Sequence, residues 1–300
     1  MTAKARLILE DGMEYVGQYF TEPNEVFGEV VFNTAMSGYQ EVVTDPSYKN
    51  QCVIMTYPMI GNYGINDQDN ESKQVFLSSV LCKEYVDIPS NWQSVRTLKN
   101  YLEEFGAVGV ERLDTRTMTL HVRDHGAQRM IITPDFSSTK EQLIEKIKHM
   151  PEMVGSNLAN VVTTDSSYSW QSSTSSDTKF RIAVLDCGVK YNILRHFESR
   201  GCECVVLPLD NAVSELETGR FDGLFISNGP GDPEPVEQAI SIIQQQLGKI
   251  PIFGICLGHQ LIAHALGGKT YKLKFGHHGI NHPVKNLQTG KVEITSQNHG

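Results

Sequence analysis

The 300-residue chain has no apolar run approaching the roughly 20 residues a membrane-spanning helix needs. Its opening, MTAKARLILEDGMEY, also lacks the apolar core, about 7 to 15 residues long, of a secretory signal. A cytoplasmic location is the expectation. Clustered lysine and arginine are missing too. With 26 basic residues against 35 acidic ones, a net charge of −9, the counterion release that drives general nucleic-acid binding has no surface to act from. Small metabolites and protein partners are expected instead. No G-x-x-x-x-G-K-[ST] occurs, and the nearest approach to G-x-G-x-x-G, at Gly229-Pro-Gly231, has Glu234 where the third glycine would stand. The sequence therefore offers no recognisable ATP or dinucleotide site. Cysteine is sparse and unpaired in spacing: Cys52, Cys82, Cys187, Cys202, Cys204 and Cys256 fit reduced thiols rather than a disulfide framework. Cys202 and Cys204 form a C-x-C at strand period, but no second pair supplies the remaining ligands of a metal. In HHGINH, His277 and His278 are adjacent and no acidic or Cys partner lies nearby, so the expectation is no metal and histidines that hydrogen-bond loop backbone.

What is present is an ordinary globular composition, 40% hydrophobic and 20% charged, with length for two domains. Residues 160–178, NVVTTDSSYSWQSSTSSDT, have neither helical nor strand periodicity and read as part of a linker over 151–178. Before it, residues 1–150 carry short alternating runs at 5–9, 26–32 and 53–57, punctuated by Gly and Pro, and end in an amphipathic helix over 139–149. This half reads as a smaller mixed α/β domain. After the linker, residues 179–300 become regular: strand 181–186, helix 192–200 closed by Gly201, strands 203–207 and 223–227, helix 235–247, then a strand leading to Cys256. Alternating β and α elements predict an α/β fold with a doubly wound parallel sheet. Asp232 is the expected N-cap of helix 235–247, with Pro233 in its first turn and Val236, Ala239, Ile240, Ile243 and Leu247 on one face. Function in such a sheet belongs at the carboxyl ends of the strands.

The most informative segment is Gly254-Ile-Cys256-Leu-Gly258-His-Gln260, where an apolar run of strand length meets a Cys flanked by Gly two residues away on each side. A helical pattern follows. This is the pattern of a nucleophile elbow: the glycines permit a sharp turn that lifts the thiol out of the sheet edge, and the helix N-terminus favours thiolate. The N–H of Leu257 then points to where an oxyanion would form. The competing reading is a small core cysteine ahead of a helix. The turn Ser227-Asn-Gly229-Pro-Gly231-Asp232, directly after a strand, brings bare backbone close to a ligand, so its N–H groups are candidates to complete the hole opposite Leu257; alternatively it is only a tight βα turn. A base is also needed, and His259, His264, His277, His278, His282 and His299 are what the following sequence contains.

Cys256, with Gly229-Pro-Gly231 before it, resembles the class I, triad glutamine amidotransferases. Further segments extend the resemblance over nearly the whole chain, to the family of small, glutamine-hydrolysing subunits of carbamoyl-phosphate synthetases. They are GEVVFNTAMSGYQ (28–40), TDPSY (44–48), YPMIGNYG (57–64), DTR (114–116), GVKYNILR (188–195), FGHHGINHPV (275–284) and SQNHG (296–300). The resemblance implies that Cys256 attacks the side-chain amide of glutamine while the N–H groups of Leu257 and Gly229 hold the oxyanion. It further implies that Ser47, Gly229, Gly231, Leu257, Gln260, Asn298 and Gly300 bind glutamine. It implies no cofactor in this chain, and a large synthetase subunit as partner that uses ATP, Mg and bicarbonate. Residues 1–150 are expected to dock on that partner, because GEVVFNTAMSGYQ and YPMIGNYG place Gly, Asn and Tyr of exposed type in turns.

One element of the family pattern is missing. The triad is completed by a His-x-Glu beyond SQNHG, and no H-x-E follows Cys256 in this sequence. The expectation is a C-terminally incomplete 179–300 domain; the alternative is a catalytically impaired glutamine-binding partner. A cysteine hydrolase of another substrate is the third reading, and it leaves Gly229-Pro-Gly231 and Ser47 unexplained.

Overall fold

Alternate residues of Lys4–Leu9 choose opposite partners, and that alternation organises the first half of the chain. Ala5, Leu7 and Leu9 join a cluster to which seven strands contribute, while Ile8 faces the other way and packs with Ile131 under Leu143 and Ile147. The seven strands close into a barrel in the order Lys4–Leu9, Glu14–Tyr19, Val108–Glu111, Ser79–Leu81, Gln51–Met55, Val26–Asn33 and Gln128–Thr133. Four neighbours run parallel, from Val26–Asn33 through Gln51–Met55 and Ser79–Leu81 to Val108–Glu111; the other pairings are antiparallel. Helix Thr115–His125 adds Met118 and Val122 to the barrel cluster. On the outer face, helices Tyr39–Thr44 and Leu98–Glu104 cover Val31, Val53 and Val80. Helix Lys140–Lys148 begins as the sequence predicts, with a capping box between Thr139 and Gln142.

The computed structural model describes residues 3–170 and 178–300, and they divide into two units, one of Met1–Glu152 with Lys272–Gly300 and one of Met153–Tyr271. The closing stretch of the first unit is an antiparallel hairpin of His277–Lys285 and Val292–His299, with His278 opposite Asn298. It is tied to the barrel by the Thr34 N–H to His278 carbonyl bond (3.3 Å) and by a Lys272–Glu29 ion pair in which Glu29 is nearly buried.

The second unit holds a five-stranded sheet in the order Tyr168–Ser169, Cys202–Leu207, Phe180–Leu185, Gly223–Ile226, Ile252–Gly254; all but the first strand are parallel. Ala183, Leu185, Leu224 and Ile226 pack on one face against helices Ala212–Thr218, Glu237–Gln246 and Leu257–Ala265. Val184, Val206 and Phe225 pack on the other face with Leu194 of helix Tyr191–Glu198. Helices on both faces make the sheet doubly wound, as expected. Strand order reverses between Phe180–Leu185 and Gly223–Ile226, and a crevice at that switch point is where such folds place ligands.

Several details correct the sequence reading. Helix Ala212–Thr218 was not foreseen, because it is only seven residues long. Residues 151–178 are not a bare linker: they contain helix Ala159–Val162 and strand Tyr168–Ser169, held because Tyr168 and Trp170 pack on the sheet and Trp170 Nε1 donates to Glu198. Residues 171–177 of that stretch lie outside the described residues. The helix after Asp232 starts at Glu237 with Val236 at the cap position, since the Asp232 carboxylate instead accepts from the N–H groups of Gly155 and Glu234; Leu247 ends up 39% exposed. Finally, GEVVFNTAMSGYQ and YPMIGNYG are not free turns. Tyr39 stacks on Tyr63 at 4.0 Å, the Tyr63 hydroxyl accepts from the N–H groups of Gly38 and Tyr39, and Tyr39 donates to the Gly64 carbonyl. Tyr39 and Gln40 are buried, so these residue types serve the packing of one segment on the other. Among the described residues no helix is long and apolar enough to cross a membrane.

Candidate active site

Strand Ile252–Gly254 and helix Leu257–Ala265 leave only Ile255 and Cys256 between them. So short a connection forces Cys256 to φ 53°, ψ −112°, a conformation that L-residues rarely occupy and that marks strain at functional turns. The two flanking glycines are required by contact. A Cβ on Gly258 would come within 2.2 Å of the Ile226 carbonyl oxygen, and one on Gly254 within 2.5 Å of the Gly258 carbonyl carbon. Ile255 donates its N–H to the same Ile226 carbonyl (3.2 Å), which pins the elbow to the neighbouring strand. Cys256 is half-buried, Leu257 is buried, and Gln260, half-buried one turn on, donates its N–H to the Cys256 carbonyl (3.1 Å). Four other cysteines are unsuited to attack at neutral pH: burial raises the thiols of Cys82 and Cys187 and pushes Cys52 and Cys204 up to about 12.

The Gly229-Pro-Gly231 turn follows strand Gly223–Ile226, at the switch point. Gly231 has φ 87°, and a Cβ there would lie 2.6 Å from the Ser156 carbonyl oxygen. Gly229 is wedged more tightly: a Cβ would lie 2.0 Å from the Cys187 carbonyl oxygen and 2.9 Å from Cδ2 of Leu257. The two residues expected to form the oxyanion hole are therefore neighbours. Three residues that the sequence reading did not single out hold this geometry. Ser227 Oγ accepts from the Cys187 N–H (2.9 Å), and Asn228 donates to the Gly188 carbonyl (2.9 Å) and accepts from the Lys190 N–H (3.1 Å). Asp186 accepts from the N–H groups of Gly188, Val189 and Thr164. These bonds join the turns after two adjacent strands. The signal in sequence was present but weak: Asp, Ser and Asn directly after apolar runs, where backbone N–H groups run out of ladder partners.

Ser47, Asn298 and Gly300 belong to the first unit. Ser47 lies in the single turn Pro46–Tyr48, capped by Asp45, whose Oδ1 accepts the Ser47 N–H (2.9 Å). Asn298 donates from Nδ2 to Oδ2 of the same Asp45 (3.1 Å), so one carboxylate brings Ser47 and Asn298 together. Gly300 is exposed. Backbone bonding, as expected, is found for His282, with the His278 backbone, and for His299, with that of Gly300; cross-strand pairing also turns the histidines toward each other and toward Asn298. His278 donates from Nδ1 to Asn298 Oδ1 (2.7 Å), and His277 Nδ1 lies 3.2 Å from His299 Nε2. Burial pushes His278 down to about 4, and burial with neighbouring histidines lowers His282 and His299. His264 bonds Thr270, and His259 is exposed. Among the described residues no group of three His, Cys, Asp or Glu side chains is arranged to hold a metal.

A strained cysteine between two glycines, beside a second glycine turn on a doubly wound sheet, defines a class I glutamine amidotransferase fold, and residues 183–300 match the family glutamine amidotransferase class-I. Residues 7–132 match a second family, the carbamoyl-phosphate synthase small chain, CPSase domain. The chain is 48% identical to the carbamoyl phosphate synthase small chain of Syntrophotalea carbinolica, over 99% of this chain and 81% of that one. It is 46% identical to that of Aquifex aeolicus, over 100% and 83%, and 44% identical to the chloroplastic one of Oryza sativa subsp. japonica, over 98% and 68%. The chain belongs to the carbamoyl phosphate synthase small chain family.

Proposed function

We propose that this chain is the glutamine-hydrolysing subunit of a carbamoyl-phosphate synthase. The reading is carried by the contact of Gly229 with Leu257 beside the strained Cys256. The Cys256 thiolate attacks the side-chain carbonyl carbon of glutamine, and the tetrahedral oxyanion is held by the N–H groups of Leu257 and Gly229. As the adduct collapses, the proton given up by the thiol is delivered to the leaving nitrogen, so ammonia departs and a glutamyl thioester remains on Sγ; water then adds to the thioester, releasing glutamate and returning a proton to sulfur. Gly231 and Gln260, with Ser47, Asn298 and Gly300, bind the substrate. Ammonia passes to a large synthetase subunit that uses ATP, Mg and bicarbonate, which is consistent with a chain lacking any phosphate loop. The N-terminal half docks on that subunit, and the protein acts in the cytoplasm.

The alternative reading is a glutamine-binding partner impaired in hydrolysis, in which glutamine is bound without thioester turnover. Glutamate and ammonia formation from glutamine, measured with the large subunit present, separates the two. Steady turnover supports the glutaminase; bound glutamine without turnover supports the impaired partner.

A further inference from the structure

Asp45 is 2% exposed, yet it reaches two residues of the proposed glutamine pocket at once. Its Oδ1 accepts the backbone N–H of Ser47 (2.9 Å) and its Oδ2 accepts the side-chain amide of Asn298 (3.1 Å), a residue 253 positions away in the chain. A carboxylate is an acceptor at both oxygens, so it fixes which end of the Asn298 amide faces it. The other end, Oδ1, then accepts from Nδ1 of His278 (2.7 Å), which fixes the tautomer of that buried imidazole. Backbone amide, carboxylate, carboxamide and imidazole thus form one directed chain of hydrogen bonds.

A simple turn cap does not account for this. Capping Pro46–Tyr48 uses Oδ1 alone, and Asn or Ser caps nearly as well. The bond to Asn298 requires a second acceptor, which among the capping residues only a carboxylate supplies while keeping the first bond. We infer that Asp45 is a positioning residue for glutamine binding, setting the Ser47 turn and the Asn298 side chain at one spacing. The inference rests on the glutaminase reading above.

The test uses the full-length protein in complex with its large subunit. Asp45→Asn keeps size and capping ability but places an NH2 group against either Ser47 or Asn298, breaking one arm. The expected result is a rise in KM for glutamine of about 10- to 100-fold, the range for losing a charge-assisted hydrogen bond. The kcat at saturating glutamine should stay within about 3-fold, with ammonia-dependent synthesis unchanged. Asp45→Asn combined with Asn298→Ala should raise KM no more than Asn298→Ala alone, because the two act through one bond. Unchanged KM in Asp45→Asn, or additive effects in the double variant, overturns the inference. Parallel loss of glutamine- and ammonia-dependent activity with a lowered melting temperature also overturns it, leaving a structural cap. If the wild-type complex hydrolyses no glutamine, the glutaminase reading fails and the inference falls with it. If the wild type is active but Ser47→Ala and Asn298→Ala leave KM unchanged, the pocket assignment alone is wrong.

Discussion

Gly229 lies against the carbonyl of Cys187, with no room for a Cβ between them. The contact joins the turns that follow two adjacent parallel strands, and Ser227 and Asn228 bond across the same junction. If Gly229 is the oxyanion donor proposed above, this placement would cost little reorganisation during reaction, because backbone holds backbone. Gly229→Ala should therefore displace the turn and lower glutamine-dependent turnover on the order of 10²-fold. Ammonia-dependent synthesis by the complex should persist. Near-normal glutamine kcat in a folded variant would show that the turn is only structural.

Cys256 should behave as both the nucleophile and a source of strain. Cys256→Ser is expected to abolish glutamine-dependent synthesis and spare the ammonia-dependent reaction; retained glutaminase activity would refute the assignment. Cys256→Gly should be equally inactive yet more stable by about 1 kcal/mol, since glycine tolerates φ 53°, ψ −112° and its extra unfolded-state entropy offsets only part of the gain. Urea unfolding measures this, and a glycine variant less stable than wild type would contradict the strain.

The histidines of the closing hairpin predict an acid-side loss of stability. His278 is 4% exposed, donates to Asn298, and is pushed down to about 4 by burial, with His299, His282 and His277 adding repulsion toward its charged form. Well above pH 6.5 the imidazole is neutral in both folded and unfolded chains, and the contribution is flat. As pH falls from about 6.5 to about 4, the unfolded chain binds a proton that the folded one refuses, so stability falls, by about 3 kcal/mol in all. The lowered His282 and His299 act with the same sign. His278→Asn, whose amide replaces the Nδ1 donor, should flatten the slope. A wild-type stability that does not change between pH 7 and pH 5 would contradict this account.

The partner surface is better tested by point changes than by deletion. Removing residues 1–150 would strip the hairpin of the barrel it is bonded to through Thr34 and Glu29. Ile88 and Trp92 are 83% and 90% exposed on one loop of the first unit, the residue types that dominate binding when covered. Ile88→Ala with Trp92→Ala should weaken association with the large subunit by about 10- to 100-fold while leaving thermal stability unchanged. An unchanged dissociation constant would place the docking surface elsewhere.

Much of the second unit was legible in the sequence. Its strands are apolar runs of fixed length, its elbow is a Cys between two glycines, and both features act locally: a strand-to-helix turn of two residues needs Gly254 and Gly258 wherever the rest of the chain lies. The short helix Ala212–Thr218 escaped because seven residues carry little periodicity. Tyr168 and Trp170 escaped because a polar run hides two anchoring aromatics.

The barrel and the Asp45 network were decided only in three dimensions. Closing seven strands depends on pairings such as Lys4–Leu9 with Gln128–Thr133, which leave no local pattern in sequence. Tyr39, Tyr63 and Gln40 look like turn residues until their partners are known; burial then fixes them by stacking and hydrogen bonds rather than by polarity. Sequence alone determined which cysteine stands between two glycines at a strand-to-helix turn. Tertiary structure decided which carboxylate holds Ser47 and Asn298 together, because a hydrogen bond across 253 residues is specified by register and packing, not by spacing.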